Sequence, residues 1–325
     1  MGMFNKLTDH CKLVRKGKYD FYVIDKMDEV KEEMLRLLNI VDSICRKRGI
    51  KYWVDGGTLI GAIRHQGFIP WDDDIDISLL KPDYDILIKE LESGNYSSEN
   101  KEFLWYTGDT RYDHCCNYLC SNLNLYGRMK GSFGLVPIKL DIRPVNIIRN
   151  EKECLNLNSE LREIANEWIF NIKRKELTEI SLPYQNMGKR EFFKFYNEEY
   201  GFETYPDTIL ALPYYEFASE SIISPNTFDE VTECKFENST TFIPVKYDEY
   251  LRVLYGNYLE LPNLENRVPA FYEYFNADIN PTQLIKIISS QNRPLYNQIP
   301  IYLKIYGVKR FFGIIKEKFE RKLHL

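Results

Sequence analysis

The stretch Trp71-Asp72-Asp73-Asp74-Ile75-Asp76-Ile77 decides how this chain is read. Four carboxylates fall within five positions, beside a tryptophan and inside a β-branched run. Like charges at this density repel one another, and a folded protein tolerates them best around a cation. On a strand, side chains two apart share a face. Asp74 and Asp76 are therefore expected on one face, with Ile75 and Ile77 buried on the other. Carboxylates set this way can grip Mg²⁺, which prefers oxygen ligands and borrows others from substrate phosphates. Mg²⁺ is the expected ion, with Mn²⁺ as the alternative.

Upstream, residues 52–55 read as a short strand that Gly56 and Gly57 break. Residues 58–65 follow as a short helix ended by Gly67, and Pro70 shapes the loop before an acidic strand over 73–79. Earlier still, Val30, Met34, Leu37, Leu38, Val41, Ile44 and Cys45 recur at helical spacing over 27–48, with Gly49 as the stop. Pro82 opens a helix to residue 92. Downstream, Ile138, Leu140 and Ile142 alternate with Lys139, Asp141 and Arg143, which predicts a strand over 137–144. Strand-like alternation returns over 227–245, and a helix over 247–258 ends near Gly256.

This order places chemistry in one region. The glycine pair lets backbone approach a ligand closely, and a new helix offers N–H groups to an anion. Thr58 adds a hydroxyl beside them. Asp74, Asp76 and Asp141 are the expected catalytic and metal-binding carboxylates, and Asp141 also suits a general base. Gly56, Gly57, Thr58, Arg64, His65, Asp72, Arg128 and Lys130 form the expected donor-binding set. The three cations would clamp phosphate oxygens; the competing reading for each is a structural counter-ion. His65 would touch a phosphate or satisfy carbonyls at its helix end. Trp71 is expected to pack under the acidic strand rather than stack on a base.

The run from Tyr52 through Asp55-Gly56-Gly57-Thr58 to Arg64-His65, then Gly67-Phe68-Ile69-Pro70-Trp71-Asp72-Asp73-Asp74-Ile75-Asp76-Ile77, resembles the signature of the LicD family. Lys81-Pro82-Asp83-Tyr84, Leu140-Asp141-Ile142-Arg143-Pro144, Phe242-Ile243-Pro244 and Tyr255-Gly256-Asn257-Tyr258 extend the likeness, which runs from about residue 27 to about 262. That family comprises phosphocholine transferases of bacterial surface glycans and is related to fukutin and fukutin-related protein. The resemblance implies a nucleotidyltransferase-like α/β fold with a mixed sheet flanked by helices. It also implies CDP-choline or another CDP-alcohol as donor, a glycan or lipid-linked glycan as acceptor, and CMP as leaving group. Lipopolysaccharide or teichoic acid precursors are the acceptors in view. Arg143 stands where an aromatic residue is common, and residues 146–225 match little.

The chain as a whole sets bounds. Its 325 residues suffice for a large core, and a net charge of −5 argues against a nucleic-acid surface. Residues 1–20 lack an apolar h-region, so no signal peptide is expected, and Lys6 opposes a myristoylation signal at Gly2. No apolar run approaches the ~18 residues of a membrane span. Seven irregularly spaced cysteines read as reduced thiols in a cytoplasmic protein. His114, Cys115, Cys116 and Cys120 lack the spacing of a zinc module, and whether they bind metal stays open.

The expected organisation is a catalytic domain over 1–280, with a helical insertion at about 150–205, and a basic amphipathic helical tail over 281–325. Residues 301–325 hold seven Lys and Arg against two Glu, a net +5, so the other 300 residues carry −10. Two fates suit such a tail: peripheral contact with the inner face of a membrane, or packing on its own domain with a solvated basic face.

Three rivals remain for the function. A nucleotidyltransferase acting on a phosphorylated small molecule would use the same carboxylates. A metal-dependent glycosyltransferase of the Asp-x-Asp type would bind a nucleotide sugar, but the Gly-Gly-Thr turn and the Asp141 strand favour phosphotransfer. The non-enzyme reading is a solvated acidic loop, which alternation with isoleucines disfavours.

Overall fold

The computed structural model describes residues 10–93, 103–106, 117–148, 209–211, 222–223, 225–277, 279 and 295–322. The insertion expected at 150–205, and His114, Cys115 and Cys116, lie outside the described residues.

The chain opens with β1 (Lys12–Lys16) and β2 (Tyr19–Val23), an antiparallel hairpin turned at Gly17 with φ +59°. Helix α1 (Met27–Arg48) follows and ends at Gly49 in the left-handed region, as the spacing predicts. Its buried face carries Val30, Met34, Leu37, Leu38, Val41 and Ile44. Next come β3 (Trp53–Val54), α2 (Gly56–His65), β4 (Asp76–Leu80) and α3 (Lys81–Glu92). Then follow β5 (Phe103–Tyr106), β6 (Asn117–Ser121), β7 (Leu125–Arg128), β8 (Val136–Pro137) and β9 (Lys139–Ile148). After β10 (Ile209–Ala211) and β11 (Ile222–Ile223), a hairpin of β12 (Val231–Phe236) and β13 (Ser239–Pro244) leads into α4 (Tyr247–Tyr255). Strand β14 (Glu273–Asn276) and helix α5 (Leu295–Lys322) complete the described elements.

The architecture is mixed α/β. Strand β9 is the axis of a seven-stranded sheet in the order β11-β10-β9-β4-β3, with β6 also on β9 and β5 outside it. The β4–β9 pair is parallel, whereas β3–β4 and β6–β9 are antiparallel. Ile75, Ile77, Leu79, Leu140 and Ile142 are fully buried and share one core with the apolar face of α1. Each such side chain contributes roughly 1.5–3 kcal/mol on leaving water. Parallel pairing of two strands with apolar flanks is what a sheet covered by helices requires.

Two boundaries differ from the pattern. The acidic strand begins at Asp76 rather than at residue 73, because residues 72–75 form the irregular approach to it. The strand expected over 137–144 divides into β8 and β9, and β9 continues to Ile148 because it finds partners on both edges.

Helix α5 breaks at Gly307, whose φ is +68°. Tyr302, Tyr306, Phe311 and Ile314 bury against Tyr126, Leu135, Phe275 and Ile279 beside a three-stranded sheet of β14, β7 and β8. One of the two fates foreseen for the tail, packing on its own domain, is thus realised on one face. Among the described residues no helix is long and apolar enough to cross a membrane.

Candidate active site

Strand register builds the site. The parallel β4–β9 pair sets Asp76 directly opposite Asp141. Asp141 N–H donates to Ile75 O at 3.0 Å, and Asp55 N–H to Asp76 O at 3.0 Å. The end of β3, the start of β4 and the middle of β9 therefore meet at one place. Leu140 and Ile142 point into the core, which turns Asp141 the other way, as their alternation predicts.

Asp55 starts α2. Its Oδ1 accepts from Gly56 N–H at 2.7 Å and from Tyr250 O–H at 2.8 Å, and Ser78 O–H donates to its Oδ2. An aspartate before a glycine pair at a helix start is a capping signal, and it is what marks Asp55 in the sequence. Tyr250 and Tyr255, from α4, were not expected at the site; Tyr255 lies in the Tyr-Gly pattern of the resemblance, but only the tertiary fold brings α4 here.

The glycine pair makes room for carboxylates. Gly56 has φ +55°, and a Cβ there would lie 3.4 Å from Asp76 Oδ2 and 3.5 Å from the Tyr255 hydroxyl. At Gly57 a Cβ would come within 2.7 Å of Asp72 Oδ2. Asp76 is 4% exposed, and its Oδ1 accepts no hydrogen bond of good geometry although Arg143 Nη2 lies 2.7 Å away. The same Arg143 nitrogen is 3.9 Å from Asp141 Oδ2, and Lys139 pairs with Asp141 Oδ1. Burial raises the Asp76 carboxyl well above the usual carboxylate range; Arg143 opposes this, and Asp74 and Asp141 add to it. Burial, and then Asp74, do the same to Asp72.

These features fit a divalent cation. The donors are all oxygen, one buried carboxylate oxygen lacks a hydrogen bond, and two missing Cβ atoms keep the space clear. Among the described residues no three carboxylate, thiol or imidazole groups already converge on one point. In this arrangement Arg143 and Lys139 supply the positive charge.

Residues 49–122, which hold the glycine pair and the acidic strand but not Asp141 or Arg143, match the family model described as LicD/FKTN/FKRP, nucleotidyltransferase domain. Over 260 residues the chain is 30% identical to the lipopolysaccharide cholinephosphotransferase LicD of Haemophilus influenzae, covering 74% of this chain and 95% of that protein. This chain belongs to the LicD family. It is a phosphotransferase of that family. A shorter likeness, 34% identity over 67 residues, links it to the ribitol 5-phosphate transferase FKRP of Homo sapiens, covering 20% of this chain and 13% of that protein. An uncharacterized protein of Rickettsia prowazekii, RP689, is 46% identical over 50 residues, or 15% of this chain and 19% of that one.

In this LicD-family chain the four clustered aspartates divide their roles. Asp74 is exposed and acts electrostatically on Asp72 and Asp76. Asp73 turns away: it accepts from Ala270 N–H at 2.9 Å and Phe271 N–H at 3.0 Å, pinning the loop before β14. Trp71 packs in the core, 6.2 Å from Phe21 by ring centroids.

The other expected donor contacts are only partly brought to the carboxylates. Thr58 Oγ1 accepts from Asp76 N–H at 2.9 Å, so this hydroxyl positions β4. Arg64 donates to Tyr258 O at 2.9 Å, to Glu260 O at 3.2 Å and to His65 Nε2 at 2.9 Å. Burial and Arg64 push His65 down to about 4, so it is a neutral acceptor. Arg128 is 1% exposed and pairs with Glu273 at 2.7 Å and Glu317 at 2.8 Å. Lys130 sits over the Tyr272 ring. For Arg128 the structural counter-ion reading is the one the geometry favours, whereas Arg64 satisfies backbone carbonyls and the neighbouring imidazole. Cys120 is a buried free thiol, pushed up to about 12 by burial.

Proposed function

We propose that this enzyme transfers phosphocholine, or a similar phospho-alcohol, from a CDP-activated donor to a sugar hydroxyl of a cell-surface glycan precursor such as lipopolysaccharide or teichoic acid. The relative from Haemophilus influenzae, named a lipopolysaccharide cholinephosphotransferase, supports the cargo and the acceptor class. The observation that carries the reading is the register of Asp76 opposite Asp141 above the Gly56-Gly57 turn.

Asp74, Asp76 and Asp141 would hold Mg²⁺, which when bound neutralises phosphate charge and favours in-line displacement. The donor's diphosphate would lie over the glycine pair, near the positive end of α2. Arg143 and Lys139 would turn their charge toward phosphate oxygens as the carboxylates take the ion. Asp141 would accept the proton of the attacking hydroxyl. A bond forms between that oxygen and the distal phosphorus, and the bond from the same phosphorus to the bridging oxygen breaks. CMP leaves with that oxygen. Tyr255 stays a neutral hydroxyl here because burial raises it, so it orients groups by hydrogen bonding.

The test is nucleotide release with a glycan acceptor and Mg²⁺, comparing CDP-choline, CTP and UDP-sugars, with Asp76→Asn as control. CMP from CDP-choline alone, absent in the variant, supports the proposal. Diphosphate from CTP would make the enzyme a nucleotidyltransferase, and UDP from a sugar donor a glycosyltransferase.

A further inference from the structure

Beyond the break at Gly307, helix α5 has two working faces. Phe311 and Ile314 enter the core. Val308, Phe312 and Phe319 remain outside it, at 64%, 60% and 65% exposure. At 3.6 residues per turn these three fall within about 40° of one another around the helix, away from the buried face. Lys309 and Lys316 are exposed beside them. Lys316 is only 4.0 Å from Glu320, and Arg310 is turned aside onto Glu273 at 3.4 Å.

We propose that this face is a docking surface for an anionic lipid bilayer. Large side chains held in water at helical spacing lose free energy there and regain it in the apolar edge of a membrane. The flanking lysines match the negative potential of anionic headgroups, which repel the remainder of a chain that carries −10. Charge therefore selects the side of the molecule that meets the membrane. Glu273 and Glu317 fasten the inner face of the helix through Arg128, so the outer face is presented by a rigid element. The binding is peripheral, since the apolar stripe is three residues deep in one helix and not a span.

Vesicle flotation of the full chain tests this, using phosphatidylcholine alone and phosphatidylcholine mixed with phosphatidylglycerol. The chain should float with the mixed vesicles and not with the neutral ones. Phe312→Ser/Phe319→Ser and Lys309→Glu/Lys316→Glu should each weaken that partition by at least about tenfold. Both pairs are exposed, so their melting temperature and nucleotide release in the absence of lipid should match the parent. Failure to float with mixed vesicles overturns the proposal. So does flotation that the serine pair leaves unchanged, which would mean a charge-only surface open to any polyanion.

Discussion

The Arg143 guanidinium lies 2.7 Å from the buried Asp76 carboxylate and 3.9 Å from Asp141, two residues away on its own strand. A single cation thus bridges the two strands that carry the site. It stands where the carboxylates need positive charge. Removing one partner of a buried pair costs about 3–5 kcal/mol, because the other is left charged and unsolvated. Arg143→Leu should lower the melting temperature without added metal, and Mg²⁺ should then raise it further in the variant than in the parent. Thermal melts with and without Mg²⁺ check this; equal shifts in both proteins would show that Arg143 and the ion do not share these carboxylates.

Asp76→Asn should separate catalysis from stability. Burial raises this carboxyl far above its unfolded value, so its favourable contribution exists at low pH and is lost as pH rises through the folded value. At neutral pH relief of that burial cost opposes the loss of Arg143's partner, and Asp141 still lies 3.9 Å from the guanidinium, so the variant should lose less stability than Arg143→Leu. CMP release should fall at least ~100-fold, the scale on which electrostatic groups act at a reacting centre. Parallel melts and single-turnover assays settle both halves.

Which parts of this were legible beforehand follows from range along the chain. Helix α1, the Gly56-Gly57 turn and the Asp141 face are written in local periodicity, and strand pairing only had to align them. Asp73 was given no role beforehand, because its role depends on a loop nearly two hundred residues away. The hairpin of β1 and β2 was not foreseen, since each strand is five residues long and β1 is mostly exposed and basic. For Arg128 the spacing left the clamp and counter-ion readings both standing for a similar reason. Its partners Glu273 and Glu317 come from distant segments, and a lone arginine announces neither.

Gly57→Ala and Gly56→Ala should fail differently. Gly57 has ordinary backbone angles, but its new Cβ would meet Asp72 Oδ2 at 2.7 Å. That carboxylate must swing away, so CMP release should drop about tenfold or more with stability kept. At Gly56, with φ +55°, the added Cβ costs about 1–2 kcal/mol of backbone strain as well. A lower melting point for Gly56→Ala alone is the expected pattern. Equal loss of stability in both would mean that Asp72 is not what Gly57 accommodates.

Asp73 predicts a pH signature. Burial holds its carboxyl at about 6 despite the N–H donors of Phe271 and Ala270. A raised folded value favours the protonated form, so its stabilising contribution is complete below about pH 4 and lost as pH rises to 6. The difference amounts to about 3 kcal/mol. In metal-free buffer, Asp73→Asn should flatten the parent's loss of stability over that window. Denaturant melts at pH 4, 5, 6 and 7 are the measurement, and parallel curves for the two proteins would contradict it.

Arg128→Met distinguishes a structural cation from a phosphate clamp. The guanidinium is 1% exposed, pairs with Glu273 at 2.7 Å and Glu317 at 2.8 Å, and stacks over Tyr272. Methionine fills similar volume but leaves Glu317 without its cation and Glu273 with Arg310 alone, at a cost of up to about 3–5 kcal/mol. Glu317 belongs to α5, so the outer part of that helix should loosen first. Amide hydrogen exchange over residues 308–322 should accelerate, while the KM for donor in the remaining folded fraction should change less than about threefold. A large rise in donor KM with unchanged exchange would instead put Arg128 on the donor's phosphate.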